Sequence, residues 1–279
     1  MLEFTNDVLT AVMLDPVEDR DRLGPRYCWG GYLHQLRDAE GRELWSGPEF
    51  PARPSAFNGQ GAPEVFCYQN YRTGAAINMD GERGIILGIG AFDRMANGEP
   101  VLYDICEWNR SLEETACIMN TQYSAQGWSY HLERRWELAG PTATSSTRVQ
   151  NVGEKDLDVL WFPHPFFPLV DGGMDFSLNR PFEMDANPGF RREGQRISMI
   201  PGFDWKTGRL EWLRPAGEGP LEARFRHPVV GAATMTLDIP LLQLPLWANA
   251  HTISLEPYAY HRLLSGQSCA WSLTYRFGT

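Results

Sequence analysis

Hydrophobic and polar residues alternate with period two over several stretches of the chain. In "CAWSLTYRF", Cys269, Trp271, Leu273, Tyr275 and Phe277 are separated by Ala270, Ser272, Thr274 and Arg276. Successive side chains of a strand point to opposite faces, so this pattern predicts a strand with one buried and one solvated face. "WSYHLERRWEL" repeats it: Trp128, Tyr130, Leu132, Trp136 and Leu138 fall on one side, and His131, Glu133, Arg135 and Glu137 on the other. "ATMTLDI", near residue 235, is a third such run. Aromatic enrichment in these segments points the same way. Helical periodicity is scarce. The one start signal, "SLEE" at Ser111–Glu114, fits a capping box before Thr115–Asn120, but the pattern that follows is too short for a helix. Twenty prolines and 27 glycines, spread throughout, favour many short strands over long helices. The expectation is an all-β fold, one domain over residues 1–279, with two stacked sheets.

Composition narrows the function. Hydrophobic residues make up 43% and charged ones 22%, the proportions of an ordinary globular chain. A formal net charge of −10 leaves no basic footprint for a nucleic-acid backbone, so that partner class is excluded. Lys155 and Lys206 are the only lysines, so the cations are nearly all arginine, which suits planar hydrogen-bonding ligands. Five scattered cysteines without a C-x-x-C pair read as buried, reduced thiols. The opening "MLEFTNDVLTAVMLDPVEDRD" lacks a basic region and a cleavable apolar core, and no apolar run approaches the ~20 residues that cross a bilayer. A cytoplasmic protein without a membrane partner is expected. No metal site is legible, and no cofactor is expected. "LGIGAFD" holds Gly88 and Gly90 but lacks the third glycine of a dinucleotide fingerprint; those glycines are expected to let one strand pass close to another backbone.

Two stretches could carry chemistry. In "WFPHPFFPL", His164 lies between Pro163 and Pro165 among aromatic residues. Proline fixes its own φ and biases the preceding residue to extended geometry, so this imidazole has little freedom. In "LEPY", Glu256 precedes Pro257 and is held extended in the same way. A histidine and a carboxylate facing each other across a small ligand can put one proton on while taking another off. A satisfied core histidine and a solvated glutamate are the bland alternatives.

These stretches sit in segments that resemble the galactose mutarotase (aldose 1-epimerase) family. "VQNVGEKDLDVLWFPHPFF" is similar to the family segment running asparagine–x–glycine, a hairpin, an apolar strand, then histidine–proline–aromatic–phenylalanine; here these are Asn151, Gly153, His164, Pro165, Phe166 and Phe167. "ISLEPYAYHRLLSGQSCAWSLTYRF" resembles its closing segment, and "YCWGGYLHQLRDAEGRELW" its opening hairpin. The resemblance implies a β-supersandwich, a small-molecule sugar as partner, Glu256 as general base on the anomeric hydroxyl, and His164 as general acid toward the ring oxygen. It also points to flat aromatic surface for the sugar, for which Trp161, Phe166 and Trp247 stand nearest the two motifs. Arg72 in "QNYRTG", with Arg53 behind it, is the candidate for the family's sugar-binding arginine. The family's second histidine is missing: Leu87 and Gly88 occupy the matching region, and His227 is the one candidate to replace it in space. That gap keeps a second expectation open, a sugar-binding sandwich without turnover.

Overall fold

The structure, a computed structural model, describes residues 1–47 and 59–278, so Arg53 lies outside the described residues. It is all-β, with antiparallel strand pairing throughout and only two single-turn 3-10 segments, at Arg20–Arg22 and Trp205–Thr207. The largest sheet has ten strands. Its centre pairs Gly231–Leu237, Ser268–Phe277, Thr142–Asn151 and Trp128–Ala139 in that spatial order.

Alternation decides which face of that sheet is buried. Trp271, Leu273, Tyr275 and Phe277 are buried while Ser272 and Arg276 are exposed, and Trp128 to Leu138 follow the parity read from the sequence. Against this buried face pack a three-stranded sheet, Glu64–Phe66, Leu157–Pro163 and Ala259–Leu263, and a five-stranded one. The aromatic contacts between layers are direct. Trp161 meets Trp271 with centroids 5.0 Å apart, and Phe167 stacks on Phe225 at 4.1 Å. The layered architecture expected from the sequence is therefore present.

The capping-box spacing starts no helix. Ser111 lies on the strand Asn109–Leu112, and Ala116–Ala125 is a strand paired along its whole length with Trp128–Ala139. Cys117, Met119, Thr121 and Tyr123 are buried at period two, and that tertiary pairing outweighs a local start signal of four residues. The reading of Gly90 holds: a Cβ there would come within 2.1 Å of the Asp104 carbonyl oxygen of the neighbouring strand. All five cysteines are unpaired, and burial pushes the Cys28 and Cys106 thiols up to about 12.

Beneath one face of the strand Leu157–Pro163 lies a second, smaller apolar cluster. Leu160, Phe162, Phe166, Tyr258, Val65 and Tyr27 belong to it, whereas Trp161 and Phe167 belong to the main core. A strand must alternate, so this segment feeds both clusters at once. The smaller cluster is the floor of the candidate site.

Candidate active site

His164 follows the strand Leu157–Pro163 and continues its pairing. Its N–H donates to the Pro63 carbonyl at 2.8 Å, and Phe166 N–H donates to the Gly61 carbonyl at 2.8 Å. The stretch between the prolines is thus fastened to the "GQGAP" segment, and the imidazole has a fixed base. Glu256 leaves the strand Thr252–Leu255, and its N–H donates to the Pro245 carbonyl at 2.9 Å. Tyr258 N–H donates to the Gln243 carbonyl at 2.9 Å, so the chain stays extended through Pro257.

The two side chains meet. His164 Nε2 lies 3.3 Å from Glu256 Oε1, with only 6% and 7% of the side chains exposed. They form the floor of a cavity of about 320 Å3. The imidazole stacks on Phe166, centroids 4.5 Å apart, and meets the edges of Tyr27 and Trp247 at 6.0 Å and 5.9 Å. Tyr258, stacked on Phe162 at 4.2 Å, backs the carboxyl side. Arg26, Tyr71, Leu210, Trp212 and Pro245 complete the wall.

Electrostatics follow from burial. Desolvation pushes the Glu256 carboxyl up to about 8, and the positive charge of Arg26 and the Ser254 hydroxyl only partly oppose it. Desolvation, with Arg26 repelling a second cation, holds the His164 imidazole well below its ordinary range. Below about pH 8 the pair is a carboxylic acid facing a neutral imidazole: one proton, one lone pair, no net charge. This differs from the charged pair that the implied family roles require, because burial disfavours the charged form of each group.

The other candidates separate cleanly. Phe166 and Trp247 line the cavity. Trp161 sits one position out of phase with Phe162 and His164, so it points into the main core and donates from Nε1 to Glu64 Oε2 at 2.7 Å. Arg72 is exposed, with its guanidinium 4.9 Å over the ring of Trp212; it braces a wall residue and is not itself in the lining. His227 is buried on the strand Leu221–His227, its Nε2 2.9 Å from the Leu44 carbonyl, with Nδ1 accepting from Val229 N–H. It is not part of the cavity lining.

Sequence reasoning missed Arg26, the arginine that does line the cavity; its Nε donates to the Tyr27 hydroxyl at 3.3 Å. No spacing marks it, since it lies in the loop between the strands Leu9–Met13 and Leu33–Asp38. Trp212, Tyr71 and Tyr258 were also missed. Tyr258 was within reach, two positions from Glu256 on the same parity.

No protein-family model matches the chain, and no curated protein does. Solved structures match it over their full length. A galactose mutarotase-like protein from Lactobacillus casei shares 18% identity, covering 99% of each chain with a TM-score of 0.60. A galactose mutarotase related enzyme from Lactobacillus acidophilus shares 10% identity, covering 100% of this chain and 97% of that one with a TM-score of 0.62. A galactose mutarotase-like protein from Clostridium acetobutylicum shares 10% identity, covering 98% and 93% with a TM-score of 0.54. The chain is a divergent representative of the galactose mutarotase-like fold.

Proposed function

We propose that the protein is an aldose 1-epimerase-like mutarotase, interconverting the α and β anomers of a free sugar through acid–base ring opening. The observation that carries the reading is the 3.3 Å approach of His164 Nε2 to Glu256 Oε1 on the floor of an aromatic-walled cavity. Opening a cyclic hemiacetal requires a proton to leave the anomeric hydroxyl as another reaches the ring oxygen. The C1–O5 bond breaks, the aldehyde forms, the C1–C2 bond turns, and reclosure runs the transfers backward. A pair sharing one proton supplies both functions. Whichever group holds the proton acts as acid, its partner acts as base, and the roles exchange on reclosure, so the two proton placements are equivalent to kinetics. Phe166, Trp247 and Tyr27 offer rings to the apolar faces of a sugar and exclude water from the transfer.

The test is saturation-transfer NMR on aldoses and uronates, following exchange between the anomeric protons. Exchange above the buffer rate that is lost in His164→Ala and Glu256→Gln supports the reading. If every sugar equilibrates at the buffer rate, or His164→Ala exchanges as fast as the wild type, the reading fails. Sugar binding without exchange would instead select the non-catalytic sandwich.

A further inference from the structure

The cavity is chemically lopsided. Its carboxyl, imidazole and guanidinium are gathered on the floor and at Arg26, while one side wall is a ladder of apolar side chains built by strand register. Glu256 N–H is bonded to Pro245, Pro245 pairs with Trp212, and Trp247 pairs with Leu210 across the adjacent strands. One sheet face therefore runs from the carboxyl, through Pro245 and Trp247, to Leu210 and Trp212. Leu210 and Trp212 stand two strand spacings from the strand of Glu256, about 10 Å. That reach is longer than one pyranose ring seated with its anomeric carbon on the floor.

The outer end of this ladder is exposed as well as apolar. Leu210 is 45% exposed and Tyr71, across the mouth, 38%. Large hydrophobic side chains left in water around a cavity mouth mark a contact surface for a ligand. Two features argue against a second sugar ring there. The Trp212 ring face is already covered by the Arg72 guanidinium, which removes a stacking platform. Among the described residues, this wall also carries no carboxylate or amide to meet a row of hydroxyls, because Leu210, Trp212, Pro245 and Trp247 offer at most indole N–H groups.

We propose that the substrate is a reducing sugar whose end remote from C1 carries an apolar substituent, and that Leu210 and Trp212 read that substituent. The inference rests on the proposed floor chemistry for its orientation, but its own observable is selectivity. Burying a small apolar group against such a wall favours a ligand by about tenfold or more.

The experiment compares D-glucose, maltose and 6-O-benzyl-D-glucose as probes, by anomer exchange and by quenching of tryptophan fluorescence on titration. The expected result is kcat/KM at least about tenfold higher for the benzyl ether than for glucose, with maltose no better than glucose. Leu210→Gln, a change at a half-exposed position, is expected to collapse the benzyl-to-glucose ratio toward one. A ratio near one in the wild type, a preference for maltose, or a benzyl preference that survives Leu210→Gln overturns the proposal. Should no probe exchange, fluorescence decides this inference, upheld by tighter binding of the benzyl ether and overturned by equal binding of all three, while the proposed function is judged separately on the wider set of aldoses and uronates.

Discussion

Glu64 and Glu256 are both carboxylates sealed from solvent, at 2% and 5% exposure, yet their surroundings give them opposite characters. Glu64 is saturated. Arg134 contacts its Oε1 at 2.5 Å, the Ser145 hydroxyl donates to the same oxygen at 2.6 Å, and Trp161 Nε1 donates to Oε2 at 2.7 Å. Both members of that ion pair lie between the sheets, away from the cavity lining. Glu256 faces one imidazole and an open space. A buried carboxylate with a full set of donors and a permanent cation beside it is a strut; one left short of donors keeps a proton near neutrality and can trade it with the imidazole it faces.

The sharpest way to break this contrast is to remove the tradable proton. Glu256→Gln and His164→Ala are expected to lower anomer exchange by about 10²- to 10⁴-fold while both variants still fold, as read by circular dichroism. Unfolding of Glu256→Gln under native conditions would make it a second strut. The converse experiment is Arg134→Met, which strands Glu64 as a lone buried charge. A loss of about 3–5 kcal/mol in urea unfolding is expected. An unchanged midpoint would show that the Glu64 cluster bears no weight.

Titration sharpens the same distinction. With one shared proton as the working state, kcat/KM should stay level below pH 8, through the ordinary imidazole range, and fall about tenfold per unit above it. A rate that climbs through pH 8 would mean that the fully deprotonated pair is the active form. Stability carries the matching signature. Burial pushes the folded carboxyl from its ordinary 4.5 up to about 8, so between these values the folded state binds the extra proton. Wild type should therefore lose stability relative to Glu256→Gln as pH rises from 4.5 to 8, by at most about 1.4 kcal/mol per unit, and the gap should stop growing above that. A gap independent of pH in urea titrations would contradict the raised carboxyl. The smallest effect is expected from Arg72→Ala, which removes the cation over Trp212 and should cost about 0.5–1 kcal/mol in the same assay.

The contrast was half legible in the sequence. Alternation in "WSYHLERRWEL" fixed the faces of a strand and, read one step further, puts Arg134 on the inward face with Tyr130 and Trp136. That placement demands a buried anion, but nothing local identifies Glu64, seventy residues upstream, as the partner. His164 and Glu256 stood out because prolines and aromatics surround them and a family pattern joins them. Trp161 could have been set aside on parity alone, since odd and even positions of one strand cannot share a face. Arg26 was not legible: a loop residue has no period, and only the folded chain brings it to the cavity. The capping-box spacing at Ser111 was a local signal too short to stand, and the strand found there is held by partners that the local sequence does not contain.

The unpaired cysteines add a practical dividend. Thiol reagents attack the thiolate, and burial lifts Cys117 and Cys269 to about 11 and Cys28 and Cys106 to about 12, and pushes Cys67 well up in the same way. Near neutrality a chromogenic disulfide such as Ellman's reagent should find almost nothing to label while the sandwich stays closed. Once the sheets part, five equivalents of colour should be released together, so the molecule carries its own clock for global opening.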